Sequence, residues 1–227
     1  MFDADRVSAV TFDSYSTLVD VDSVEQALAD RVDDPTPVSR LWRARSLEYT
    51  LVANHVDAYQ PFYEMNRDAL TYALDVHDVD VSEAERDDIL ATYHELDVFE
   101  DVRESIERLH DAGYPCHVVS NGNPEMLDSM VEHAGIGDLL DGVVSAHEVE
   151  TFKPAAELYE YAAEQVGEPT EELTHVSALW LDVQGATHAG LQGVWLNREN
   201  GPWEPFDGEP TLEVPSIRAF ADRLLGG

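Results

Sequence analysis

Cationic residues are scarce in this chain: 13 Lys plus Arg stand against 47 Asp plus Glu, a formal charge of −34 over 227 residues. A nucleic acid needs a basic face to bind, so this balance excludes it as a partner. In dilute buffer so many like charges repel one another, whereas at about 1 M salt the Debye length falls to about 3 Å and the repulsion is screened. The acids are spread over all segments rather than gathered in a tail, which points to a halophile's protein rather than an acidic docking surface. Cysteine occurs once, at Cys116, so no intramolecular disulfide can form and a reducing compartment is expected. Long apolar runs are missing, and the start MFDADRVSAV carries neither a basic region nor an export-length apolar stretch. The expectation is a soluble, cytoplasmic protein without membrane contact.

The scarcity is sharpest for lysine. Twelve of the thirteen basic residues are Arg, and Lys153 is the only lysine. A compact ammonium and a planar guanidinium fork do different work, so a site that wants an ammonium would explain this position; a leftover of biased composition would explain it equally well.

What the chain does have is 44% apolar content, enough to bury a sizeable core. Short β-branched or apolar runs at 7–12, 116–119, 142–144, 177–181 and 193–196 read as strands. Amphipathic patterns at 102–112 and 125–134 separate some of them; the second follows Asn123-Pro124 and stops at Gly135, the punctuation of a capped helix. Alternation of strand and helix beyond about residue 100 predicts an α/β fold, a doubly wound parallel sheet with helices on both faces. The stretch 21–95 does not alternate. Helices around 41–52, 62–74 and 82–96 predict a helical insertion after the first strand, placed to roof the carboxyl edge of the sheet where such folds bind ligands. The Pro- and Gly-rich stretch 201–215 reads as a surface loop ahead of a last helix at 216–225.

In this layout Asp13, Ser120 and Asp182 fall at or just past the carboxyl ends of three strands, and Lys153 follows a fourth. Each alone could be a helix cap or a solvated loop residue. Four such residues on one edge make a candidate site. In VVSNGNPEM, Ser120 and Asn121 lie on a turn into a helix whose N-terminal amides favour an anion, with Asn123 as its cap.

These stretches resemble the haloacid dehalogenase superfamily and, within it, the L-2-haloacid dehalogenases. The segments FDSYSTL, SNGNP, FKPAAELY and LDVQGATHAG match its four motifs, and LWRARSLEYT and GVWLNR resemble the dehalogenase branch. The resemblance implies a Rossmann-like core of residues 1–20 and 97–227 with a helical cap at 21–96, no metal and no cofactor. It implies that Asp13 attacks the carbon bearing the halogen of a short L-2-haloacid and that water then hydrolyses the resulting ester. The products are halide and a 2-hydroxy acid inverted at C2. Lys153 would keep Asp13 ionised and attract the substrate carboxylate, and Asp182 would fix Lys153 and help place the water. Arg43 and Asn121 would stabilise the departing halide, with Phe62 lining a dry cradle for it. Tyr15, Thr17, Ser120, Tyr159 and Ser177 would orient these groups by hydrogen bonds. A homodimer is implied by the resemblance alone. Without it, Arg43 reads as a partner for Glu48 on the same helix.

Most of the superfamily are Mg²⁺-dependent phosphatases, with a second aspartate two residues after the nucleophile and acids in the fourth motif. Here those positions hold Tyr15 and Ala178, which argues against phosphate-ester hydrolysis. Other departures touch the dehalogenase reading itself. Leu179 stands where that branch carries an asparagine thought to place the hydrolytic water, Leu181 replaces an aromatic, and Ser16 replaces a glycine. A phosphatase- or phosphonatase-like hydrolase, or a family member acting by binding, are therefore the alternatives.

Overall fold

The computed structural model describes residues 1–226. Strand β1 (Ala9–Phe12) is buried along its whole length, as expected of a central parallel strand covered on both faces. The chain then makes a turn and the short β2 (Val19–Asp20), and enters four helices: α1 (Val24–Ala29), α2 (Thr36–Val56), α3 (Phe62–Val76) and α4 (Glu83–Ala91). It returns through β3 (Asp97–Val98), which pairs antiparallel with β2, so the two ends of the helical segment lie side by side. The remaining elements alternate: α5 (Val102–Asp111), β4 (Cys116–Ser120), α6 (Pro124–Ala134), β5 (Gly142–Ser145), α7 (Ala156–Val166), β6 (Leu173–Ser177), α8 (Trp180–His188), β7 (Gln192–Leu196), β8 (Leu212–Val214) and α9 (Ile217–Leu225). The main sheet runs β5-β4-β1-β6-β7-β8 with every neighbouring pair parallel. Its strand order reverses beside β1, where an open α/β sheet places its crevice.

The expected α/β architecture is the observed one, but one strand is displaced. The run 177–181 is not a strand: β6 ends at Ser177, and Trp180 already begins α8. Thr174 and His175 lower the apolarity of the true strand, while the half-buried apolar run 178–181, which leads into α8, imitates a strand because periodicity cannot separate short cases. Asp182 therefore belongs to the first turn of α8 and is fully buried.

The helical segment holds together through ordinary amphipathic packing. Trp42 of α2, 1% exposed, donates its indole N–H to the Asn66 carbonyl of α3 at 2.8 Å. Ser82 and Glu85 form a reciprocal capping box that starts α4, while residues 92–94 tighten into a 3-10 turn rather than extending that helix. Side-chain hydrogen bonds tie this segment to the rest of the chain, those of Asn54 and Asn123 nearest the sheet edge. Asn54 of α2 accepts from the Phe152 N–H at 2.9 Å and donates to its carbonyl at 2.6 Å. Asn123, placed at the N-cap of α6, does not cap it with its side chain; its Oδ1 accepts instead from the Tyr63 N–H of α3 at 3.1 Å.

Gly185 of α8 is required by close approach: a Cβ there would lie 2.6 Å from Pro154 Cβ and 2.7 Å from the Tyr159 hydroxyl. The helix thus presses directly on the loop that carries Lys153. No helix among the described residues is long and apolar enough to cross a membrane.

Candidate active site

Because β1 stops at Phe12, the next side chain emerges at the sheet's carboxyl edge while its backbone is still held. The Asp13 N–H donates to the Val176 carbonyl at 3.0 Å, extending the β1/β6 ladder by one residue. Only 4% of Asp13 is exposed. Its Oδ1 accepts from Lys153 Nζ at 2.9 Å and its Oδ2 from the Thr17 hydroxyl at 3.0 Å. Thr17 Oγ1 in turn accepts from the Ala178 N–H at 3.0 Å, so the hydroxyl proton is committed to the carboxylate. The intervening residue, Ser16, has φ of +70°, the left-handed region that favours glycine, at a cost of order 1–2 kcal/mol for other residues.

Lys153 is 3% exposed and spans two acids, its Nζ also donating to Asp182 Oδ2 at 2.8 Å. Its own N–H is held by Asn121 Oδ1 at 2.9 Å. The opposite oxygen of Asp182 accepts from the Tyr159 hydroxyl at 2.6 Å. Burial pushes the Asp13 carboxyl above its usual range, even against the pull of Lys153. Burial acts on Asp182 in the same sense, but the His175 and Lys153 beside it hold that carboxyl far below the usual range. For Lys153, burial alone would lower the ammonium; the two carboxylates outweigh it and hold the group above its usual value. The single lysine is therefore a charged bridge between two buried acids.

A cavity of about 40 Å³ opens in front of this cluster, room for a molecule of a few heavy atoms. Asp13, Tyr15, Ser120, Asn121, Lys153 and Asp182 line it from the sheet side, and Arg43 and Phe62 from the helical segment. Eight of the eleven candidate residues line it directly. Thr17 and Tyr159 stand behind the wall, bonded to Asp13 and Asp182. Ser177 is the outlier: its Oγ accepts from the Leu179 N–H at 3.1 Å and shapes the loop instead of facing the cavity. Ser120 Oγ shares a 2.6 Å hydrogen bond with Ser14 and accepts from the Gly122 N–H at 3.0 Å, which fixes the turn into α6.

Much of the remaining lining is aromatic or aliphatic. Tyr15 stacks on Phe62 at 6.2 Å and tilts against Tyr93 at 5.5 Å. Burial raises the Tyr15 phenol well above its usual value, so this residue brings no negative charge to the position two after Asp13. Its hydroxyl makes no hydrogen bond within the protein. Leu179 and Leu181 complete the wall. Trp180 does not join it; its ring meets Phe206 edge-on at 5.8 Å, over a separate surface groove. Arg43 is not paired with Glu48, which Arg45 engages. The Arg43 guanidinium lies 4.0 Å from Asp22 and borders both the small cavity and a wider one of about 430 Å³. Among the described residues no group of three or more His, Cys, Asp or Glu side chains is arranged as a metal-binding set.

Sequence reasoning missed His175. It lies on β6, fully buried, with Nε2 3.0 Å from Asp182 Oδ2 and Nδ1 2.8 Å from the Thr11 hydroxyl. The displaced strand hid it, because a register ending at Ser177 would have put His175 two residues from the carboxyl edge. A histidine seven residues before Asp182, in a β-branched stretch, was the available signal.

Known proteins resemble this chain over most of its length. A family model described as haloacid dehalogenase-like hydrolase matches residues 7–190. The (S)-2-haloacid dehalogenase 4A of Burkholderia cepacia is 33% identical, over 88% of this chain and 87% of its own. The (S)-2-haloacid dehalogenase of a Pseudomonas species, strain YL, is 31% identical over 96% and 94%. The L-2-haloacid dehalogenase of Xanthobacter autotrophicus, solved with chloropropionic acid covalently bound, superposes with a TM-score of 0.90 at 27% identity, over 97% of this chain and 99% of that one. A buried aspartate at the mouth of a central parallel strand, in a chain matched over most of its length by that model, places this protein among the haloacid dehalogenase-like hydrolases.

Proposed function

We propose that the chain hydrolyses short L-2-haloacids to 2-hydroxy acids through an ester on Asp13, with inversion at C2. The observation that carries this reading is a desolvated carboxylate, paired to the only ammonium and facing a small apolar cavity bordered by a guanidinium. Asp13 Oδ2 or Oδ1 attacks C2 as the carbon–halogen bond breaks and the halide takes the bonding pair. Stripped of water, the carboxylate is a stronger nucleophile than in bulk, and the same dryness strengthens the attraction of Arg43 for the departing anion. Asn121 serves that anion too: with Oδ1 committed to the Lys153 N–H, its NH₂ remains as the donor. Phe62 keeps the halide's surroundings apolar, and residues 21–96 act as the cap over the site.

Water then adds to the Asp13 carbonyl carbon and the bond from that carbon to the substrate oxygen breaks. One water proton passes to that oxygen, so the product leaves as an alcohol; the other is released to solvent as Asp13 returns to a carboxylate that pairs again with Lys153. Tyr15 and Ala178, in place of the acids a phosphatase would use there, support carbon–halogen over phosphate chemistry.

Incubation with L-2-chloropropionate in concentrated salt is expected to release chloride and 2-hydroxypropionate, and the D isomer to release neither. Mg²⁺-dependent phosphate release from small phosphate esters, with no halide from any 2-haloacid, would overturn the reading.

The direction of the Asp13 shift makes a further prediction. Attack requires the ionised form, and burial raises this carboxyl above its ordinary value of 3.8. The rate of halide release should therefore fall on acidification at a pH above the ordinary carboxylate range. A single-turnover pH profile whose acid limb lies at or below 3.8 would contradict the burial of the charged nucleophile.

A further inference from the structure

The buried histidine behind the acid cluster has no place in the scheme above. We propose that His175 is the positioning residue for ester hydrolysis, acting through Asp182; the inference rests on the proposed dehalogenase reading.

The hydrogen bonds settle which way the imidazole faces. Asp182 is an ionised carboxylate and accepts only, so Nε2 must carry a proton at its 3.0 Å contact with Oδ2, whether the ring is neutral or cationic. Thr11 has one hydroxyl proton and two acceptors in range, Nδ1 of His175 at 2.8 Å and the Thr174 carbonyl at 3.3 Å. For a neutral ring the proton goes to the shorter contact, and Thr11 locks the tautomer that donates to Asp182. The ring is further confined by Tyr159, edge-on at 5.7 Å between centroids. The charged and titratable groups around it are Asp182 of α8, Lys153 of the loop after β5, Tyr159 of α7 and Asp13 beyond them.

Over the two half-reactions these partners behave differently. Lys153 donates to both acids while Asp13 is ionised, but an ester on Asp13 removes one of its two anions and frees a long, flexible side chain to re-aim. His175 does not touch Asp13. Sitting on a central strand and held by Thr11, it keeps the same bond to Asp182 throughout. Leu179, in the wall, can hold no water, so Asp182 is the one carboxylate left beside the ester to orient the attacking water. A fixed donor on Oδ2 is what keeps that carboxylate aimed once Lys153 is released.

The test separates the half-reactions. In His175→Phe, rapid-quench chloride release from L-2-chloropropionate should show a burst of one halide per site within about threefold of the parent rate. Steady-state turnover should fall roughly 10²-fold, and intact mass should show the ester on Asp13 accumulating. His175→Gln, whose terminal amide restores a donor near the Nε2 position, should recover most of the turnover. Parallel loss of burst and turnover in a folded His175→Phe protein, or unchanged turnover, would overturn the proposal, as would a His175→Gln variant no better than His175→Phe. Should His175→Phe fail to fold, the Gln variant against Thr11→Val, which frees the ring, gives the same comparison. Failure of the parent protein itself to release halide would instead sink the dehalogenase reading, so the two failures are distinguishable.

Discussion

Asp13→Asn is expected to release halide at no more than about 10⁻⁴ of the parent rate, because an amide oxygen carries no negative charge for the attack and no other carboxylate can reach the same carbon. Asp182 cannot substitute: it is fully buried, bonded at both oxygens, and held in its ionised form by Lys153 and His175. The variant should stay folded. Ionised Asp13 is already disfavoured by burial, so a neutral isostere removes a desolvation cost while it weakens one contact of Lys153. A halide electrode and a thermal melt check the two halves of this expectation, and a folded Asn variant that still turns over would reject Asp13 as the nucleophile.

Lys153→Met should damage activity and fold together. It leaves Asp13 and Asp182 facing each other without the ammonium that separates them. Removing one partner from a buried ion pair typically costs about 3–5 kcal/mol, which for a domain of this size is a fall in Tm of roughly 6–20 °C. The sign of its pH dependence follows from the shifts. Lys153 is held above its ordinary value in the fold, so its contribution is fully present below the unfolded pKa and is lost only as pH rises through the folded one. Asp182 is held below its ordinary value, so its contribution is present above the unfolded pKa and fades as pH falls through the folded one. Without the ammonium both carboxylates take up protons more readily. The stability gap between parent and variant should therefore be widest near neutral pH and narrow on acidification. Melting curves from pH 4 to 8 measure it, and a gap independent of pH would mean that the bridge carries no net charge interaction. Lys153→Arg should not rescue activity, since a planar fork cannot donate along the two directions, 2.9 and 2.8 Å long, that one Nζ serves.

Much of this was readable before any coordinates. The apolar strand ending on Asp13, the lone lysine and the turn at Ser120 reported the sheet edge because each joins a local backbone signal to an unusual side chain. The alternation of strand and helix gave the fold for a similar reason, since parallel crossovers leave few topologies. What escaped was long-range. Nothing local to β6 distinguishes its true register from one four residues later, since the neighbouring apolar run leads through a short loop into the first turn of a helix. The role of His175 depends on partners seven and 164 residues away, Asp182 and Thr11. The Asn123 side chain looked like a cap and became a tether because a backbone N–H from α3 competes for it. Ser16 is the converse case: its departure from glycine was visible, and the left-handed backbone that makes it costly was not.

The two hydrogen bonds that Asn54 makes to Phe152 bear on timing. Phe152 is the residue before Lys153, and Asn54 rides on the helix that carries Arg43. Any outward swing of that helix large enough to admit a haloacid has to pull on the peptide next to the lone ammonium, or let go of it. The Asn54 bonds therefore make a mechanical link between the Arg43 helix and the peptide that carries the ammonium.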